Sequence, residues 1–292
     1  MTDTPPAAVL VGPASVDRYL DDDGTLRIEL PGGGALNMAH HWSVSGVPAL
    51  FVTRIGDDRE QLFRDFLRRH GIAHLPELLV APGASASIDI RTRADRQPAM
   101  DNFVEGVWGG FALHDAERAA VSASQRLHLV LVEPVIAELE RLGDAGSLDG
   151  VEVSADFLSF VHYDVDRFAR TMRHVDLGFV GWPGARDDAT VVGIRDAVWR
   201  LGKLAVVTMG ARGVLVIDGR DGRSTERWMP VDAVEVLGTT VGCGDAFIAA
   251  FLGEWWAGHG LDAAVDAGRA AGAAATAWQR PLPDGAYAIS GE

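Results

Sequence analysis

Short apolar, β-branched runs alternate along this chain with longer stretches whose apolar residues recur at helical spacing, a rhythm that suits a largely parallel sheet covered by helices. Residues 9–12, 49–54, 127–132, 151–155, 177–180, 204–209 and 214–218 read as strands, and 35–44, 59–69, 134–142, 165–173, 189–201, 244–256 and 261–278 as helices. The expected fold class is α/β. With 292 residues, 48% of them hydrophobic, the chain can bury one large core with at most a small appendage, so a single domain over residues 1–292 is expected.

Two places break the rhythm. Residues 18–20 and 26–30 flank Asp21-Asp22-Asp23-Gly24, and Asp-Gly supplies the positive φ of a tight hairpin. A second pair, 86–91 and 98–104, flanks the polar turn 92–97. These four strands, about 17–31 and 86–104, predict a small second sheet inserted in the domain, a flap of the kind that covers a site.

Composition removes several classes of function. Apolar runs such as 129–132 and 246–252 fall far short of the roughly 20 residues that cross a bilayer, and residues 1–6 lack the basic residue and apolar stretch of a secretory leader. A cytoplasmic protein without membrane partners is expected. The one cysteine, Cys243, forms no internal disulfide and fits a reducing compartment. A net charge of −15 disfavours nucleic acid, and the arginines of 64–69 fall at helical spacing with Phe63, Phe66 and Leu67, as on a solvated helix face.

The chemistry concentrates in Gly238-Thr239-Thr240-Val241-Gly242-Cys243-Gly244-Asp245-Ala246-Phe247, which runs directly into an apolar helix. Gly242 and Gly244 open the backbone to close approach, and the helix start turns unpaired N–H groups and a positive dipole end outward. Asp245, in the first turn, is placed either to take a proton from an attacking hydroxyl or simply to cap the helix. A P-loop is excluded because the only Gly-Lys pair, Gly202-Lys203, is followed by Leu204; a dinucleotide fingerprint is weak because Phe247 stands at its third glycine.

With Gly-Cys-Gly-Asp-Ala-Phe in place, the chain resembles the PfkB (ribokinase-type) carbohydrate kinases from end to end. The resemblance implies a three-layer α/β/α sandwich with a small β-sheet lid. Gly32-Gly33-Gly34-Ala35-Leu36-Asn37 looks like the family's amino-terminal signature, which implies that Gly32, Gly33 and Asn37 contact sugar hydroxyls; Asp17, after Gly12-Pro13-Ala14-Ser15-Val16, resembles the aspartate that binds them too. Gly56-Asp57-Asp58 looks like a structural turn. Thr208, Gly210, Arg212 and Gly213 stand in what resembles the nucleotide loop, where glycine amides and a threonine hydroxyl suit phosphate. Asp245 would then be the base, with Gly242, Cys243 and Gly244 forming the anion hole. ATP and Mg2+ are the implied cofactors, a sugar the implied partner, and a homodimer through the lid is expected because lid edges would otherwise be exposed.

Three departures qualify this. Thr239 stands where an aspartate usually helps bind a monovalent cation, which puts potassium activation in question. Gly181-Trp182-Pro183-Gly184 replaces an Asn-x-x-Glu pattern that organises magnesium, leaving the ion to ATP oxygens and water. Cys243 replaces a small alanine, and a neutral thiol is expected. Residues Asp101 to Val107 with Phe111-Ala112-Leu113 resemble the fructoselysine 6-kinase branch, implying a ketose or ketoamine; Trp42, Trp108 and Trp182 are either stacking walls or core. A nucleoside kinase of the same fold and a noncatalytic sugar- or nucleotide-binding regulator are the competing expectations.

Overall fold

The computed structural model describes residues 6–93, 96–222, 224–232 and 234–287. The chain divides into two compact units, one built from Met1–Val11 and Ala112–Ala233, the other from Gly12–Phe111 and Val234–Glu292.

In the first unit the strands Ala8–Val11, Arg126–Val130, Glu152–Asp156, Leu177–Gly181 and Leu204–Thr208 pair in that order, all parallel. Strands of a parallel sheet are buried on both faces, which is why Val9, Leu10, Leu127, Ala155 and Val206 are all sealed from solvent. Val214–Asp218 and Thr225–Met229 then add antiparallel strands at one side. Helices Asp115–Ala123, Glu133–Asp144, Val165–Thr171 and Ala189–Leu201 connect the strands. Ala189–Leu201 stops where Gly202 turns left-handed and gives its N–H to the Trp199 and Val198 carbonyls, the usual glycine stop.

The second unit holds a four-stranded sheet in the order Leu26–Gly32, Ser15–Leu20, Ser87–Thr92, Pro98–Val104. Its hairpin closes as the sequence requires: Gly24, at φ +84°, gives its N–H to the Asp21 carbonyl, and Asp23 Oδ1 accepts from Thr25 N at 2.9 Å. Asp58 anchors the approach to the third strand by accepting from both the amide and the hydroxyl of Ser85 at 2.8 Å, a structural use of the Gly56-Asp57-Asp58 turn. The helices Gly34–Ser45, Cys243–Trp256 and Gly260–Ala275 of this unit pack on one another. Trp42 is 1% exposed, donates its indole N–H to the Ala249 carbonyl at 3.1 Å and lies 5.0 Å from the Trp256 ring, so Gly34–Ser45 is bolted to Cys243–Trp256. Gly268 lets the next helix come as close: a Cβ there would stand 3.0 Å from the Phe247 ring and carbonyl.

Candidate active site

Alternation along Ser15–Leu20 puts Ser15, Asp17 and Tyr19 on one face of the sheet and Arg18 on the other, where it meets Asp89 at 3.0 Å. Asp17 is 4% exposed and accepts from the Ser15 hydroxyl at 2.9 Å. Gly32 pairs beside it on the neighbouring strand, and a Cβ there would overlap the Asp17 carboxylate. Gly33 follows at φ +96°, ψ 140°, a conformation closed to other residues, with Pro13 O only 2.7 Å from where its Cβ would be. Its carbonyl accepts the first helical bond, from Asn37 N at 3.0 Å, which turns the Asn37 side chain inward.

Asn37 then meets the second element of the site. Its Nδ2 donates to Asp245 Oδ2 at 2.7 Å across 208 positions of sequence, while its own Oδ1 is buried with no hydrogen-bond partner among the described residues. Among the described residues the Asp245 side chain accepts from Asn37 and from no amide of its own helix. The cap position is Gly242, left-handed at φ +79° and packed against Pro281 so closely that a Cβ would lie 2.7 Å from Pro281 Cα. The first i→i−4 bond of the helix runs from Ala246 N to Gly242 O, and the amides of Gly242, Gly244 and Asp245 have no carbonyl partner among the described residues. Around Gly244 the space is open: a Cβ there would meet nothing within 4 Å.

Burial sets the electrostatics. Desolvation raises the Asp17 carboxyl to about 7, against a lowering by the Ser15 hydroxyl and with a further rise from the Asp245 charge. Asp245 is raised to about 6, again by desolvation, and the Asn37 amide works against the rise by holding the ionised form. The Cys243 thiol is pushed up to about 11 by burial and by Asp245, so it is a neutral thiol near pH 7, as expected. Thr239 is buried; its hydroxyl accepts from Val241 N at 3.3 Å and its N–H bonds to Trp278 O at 2.8 Å, so it serves the loop's own shape.

The other expected site residues lie in the first unit. Gly210 is at φ +57° and Gly213 at φ +142°, with Gly213 N bonded to Gly210 O and Arg212 N to Met209 O, so the amides of Gly210 and Ala211 are the ones left without a carbonyl partner among the described residues. The Thr208 hydroxyl bonds the Val180 carbonyl at 3.5 Å, and an Arg212 guanidinium N–H goes to the Pro183 carbonyl. Trp182, in place of the acidic pattern, gives its indole N–H to Asp188 at 2.9 Å and its amide to Thr208 O at 2.8 Å, tying this turn to the loop. Trp42 and Trp108 are core residues, not a sugar wall.

Sequence reasoning missed the carboxy-terminal contribution. Tyr19 and Tyr287 each have an Arg280 guanidinium 6.0 Å from the ring centroid, and both hydroxyls feel the Asp17 charge. The two-residue spacing of Asp17 and Tyr19 was the one available signal, since it puts both on the same strand face; nothing local points to Arg280 or Tyr287.

Residues 182–279, a stretch that takes in the Thr208–Gly213 loop and the Gly242–Asp245 turn, match the model of the pfkB family carbohydrate kinases. That stretch carries the PfkB kinase signature, and over most of its length the chain is similar to kinases. Its chemistry is phosphoryl transfer from ATP to an alcohol. Among curated relatives, the fructoselysine 6-kinase of Shigella flexneri is 26% identical over 259 residues, 88% of this chain and 94% of that one. A cytidine kinase of Thermococcus kodakarensis is 27% identical over 271 residues, 89% and 92% of the two chains. The crystal structure of an adenosine kinase from Sinorhizobium meliloti superposes with a TM-score of 0.81 over 96% of each chain at 21% identity, which shows the ribokinase-like fold.

Proposed function

We propose that this PfkB kinase phosphorylates a hydroxyl of a sugar or sugar derivative, of the ketose or ketoamine class to which fructoselysine belongs, with Asp245 as general base. The observation that carries the reading is the pairing of Asp245 with Asn37 at 2.7 Å, beside helix-start amides that bond to no carbonyl among the described residues. A carboxyl near 6 is ionised at neutral pH yet basic enough to take a hydroxyl proton, the compromise a general base requires. As the proton moves to Asp245, the acceptor oxygen forms its bond to the γ-phosphorus and the bond to the bridging oxygen of the departing ADP breaks. The amides of Gly242, Gly244 and Asp245 face the migrating charge. Asp17, with Gly32 and Gly33 giving it room and Asn37 alongside, receives the sugar hydroxyls, while Thr208, Gly210, Arg212 and Gly213 receive the nucleotide.

Magnesium, which neutralises nucleotide phosphates in such transfers, has no ready cage here: no group of three metal-ligating side chains forms among the described residues. Asp17 and Asp245 are the carboxylates nearest the acceptor, and no step above runs through the ion. In this reading the protein works in the cytoplasm, and its second copy docks through the small sheet, whose outer strands expose Leu26, Ile28, Met100 and Phe103.

The experiment is a coupled ADP-release assay over a panel of sugars, ketoamines and nucleosides, repeated with Asp245→Asn. The kinase reading expects turnover to drop by orders of magnitude in the variant while ATP still binds. Undiminished turnover would remove Asp245 from the chemistry. The cytidine kinase relative, together with the Tyr19 and Tyr287 rings beside Asp17, favours a nucleoside as the second reading, and a panel response confined to nucleosides selects it.

A further inference from the structure

Arg280 sits beside the acceptor residues in an unusual setting. Its guanidinium lies 6.0 Å from the ring centroids of both Tyr19 and Tyr287, which restricts the side chain between two aromatic bodies. A guanidinium carries five N–H donors, and the only hydrogen bond Arg280 makes among the described residues is one, from Nη1 to Asp284 Oδ1 at 2.8 Å. Asp284 is two-thirds exposed, so this pair is screened and easily exchanged. The Tyr19 hydroxyl beside it is buried with no hydrogen-bond partner among the described residues, and Tyr19 and the neighbouring Gln279 line an open groove that runs past Leu20 and Thr92 to the acidic hairpin Asp21, Asp22 and Asp23 with Arg27. Arg280 is also fixed at its base, because the next residue, Pro281, is packed against Gly242.

Resting on the kinase reading, we propose that Arg280 is a specificity determinant that recognises an anionic group, a carboxylate, on the part of the acceptor remote from the phosphorylated hydroxyl. The acceptor's hydroxyl end meets Asp17, Asn37 and Asp245; its far end passes Tyr19, whose free hydroxyl is a donor on the way, and reaches the guanidinium. A neutral sugar leaves those donors to water. A ketoamine of an amino acid fills them.

The test uses two probes that differ in one charge: fructosyl-lysine with a free α-carboxylate, and the same compound as its α-carboxamide. Binding of each to the full-length protein is followed by tryptophan fluorescence, with calorimetry as a check. The wild type is expected to prefer the carboxylate by about 10- to 100-fold, the range of a charge-assisted hydrogen bond. Arg280→Gln and Arg280→Met collapse that preference to near unity, and Arg280→Lys restores part of it. Thermal melts that match the wild type show that the variants fold. Equal affinity of the wild type for the two probes, no binding of either, a preference that survives in Arg280→Gln, or a loss confined to ATP affinity would each overturn the assignment. The kinase reading is judged separately by ADP release: a protein that phosphorylates a nucleoside or a neutral sugar, yet is blind to the carboxylate, keeps that reading and loses this one.

Discussion

Replacing Asn37 with alanine removes the amide that donates to Asp245 Oδ2 at 2.7 Å and leaves the carboxyl in the same desolvated surroundings. A hydrogen bond to a charged group is worth about 1.5–3 kcal/mol, and each pKa unit corresponds to about 1.4 kcal/mol, so the carboxyl should rise by roughly one to two units. Starting from about 6, it would titrate between about 7 and 8. The base must be ionised to act, so the acid limb of the kcat/KM profile moves to higher pH. At pH 7 the active fraction falls by about two- to tenfold and recovers toward pH 9. Asp17 titrates nearby, and the two apparent values belong to the pair, so the quantity to read is the shift between wild type and variant. The assay is ADP release from pH 5 to 9 at subsaturating acceptor. A variant whose plateau drops while its acid limb stays in place would show that Asn37 holds the substrate without tuning Asp245, and the reasoning above would be wrong.

Three further outcomes follow from the same geometry. Gly242→Ala must force a left-handed residue against Pro281 and should lower stability by about 1–3 kcal/mol, whereas Gly244→Ala should melt within a few degrees of the parent and still lose activity, because its methyl enters the open space before the helix; an active Gly244→Ala would move the phosphoryl path elsewhere. The folded chain holds the Asp17 proton up to about 7 against 3.8 unfolded, so this residue's contribution is full below pH 4 and is lost as pH rises to 7; Asp17→Asn should therefore gain stability relative to the parent between pH 4 and 8, by on the order of 4 kcal/mol at most, and parallel urea midpoints across that range would contradict the burial. With its thiol held near 11, Cys243 should react slowly with alkylating reagents at pH 8, and the adduct should abolish turnover with ATP protecting; full activity after complete modification would take the anion hole away from this turn.

The sheet of the first unit was legible because parallel strands are apolar on both faces: the strand at Val214–Asp218 and the helix Ala189–Leu201 coincide with the expected residues. The helix Asp115–Ala123 was missed. Of its nine residues only Val121 and Glu117 are buried, and Glu117 fixes its start by accepting from His114 N at 2.8 Å, leaving almost no apolar period to read. Thr225–Met229 was missed for a related reason, since an edge strand with an exposed Thr-Glu-Arg start carries no clear alternation. The helix expected at 261–278 ends at Ala275, where the chain turns to bond Gly238 and Thr239 through the carbonyls of Thr276 and Trp278. In the site, residues within one signature could be found locally. The Asn37 to Asp245 bond and the Arg280 setting depend on folding that brings distant segments together.

The turn that carries Asp245 is propped by residues that come after it: Trp278 holds Thr239, and Pro281 backs Gly242. During synthesis, then, the pocket proposed around Asp17 in the first strands has to wait until residues as far as Pro281 emerge before the Asp245 turn is set. Long-range closure of this kind is slow, and a nascent or prematurely terminated product would lack a competent pocket.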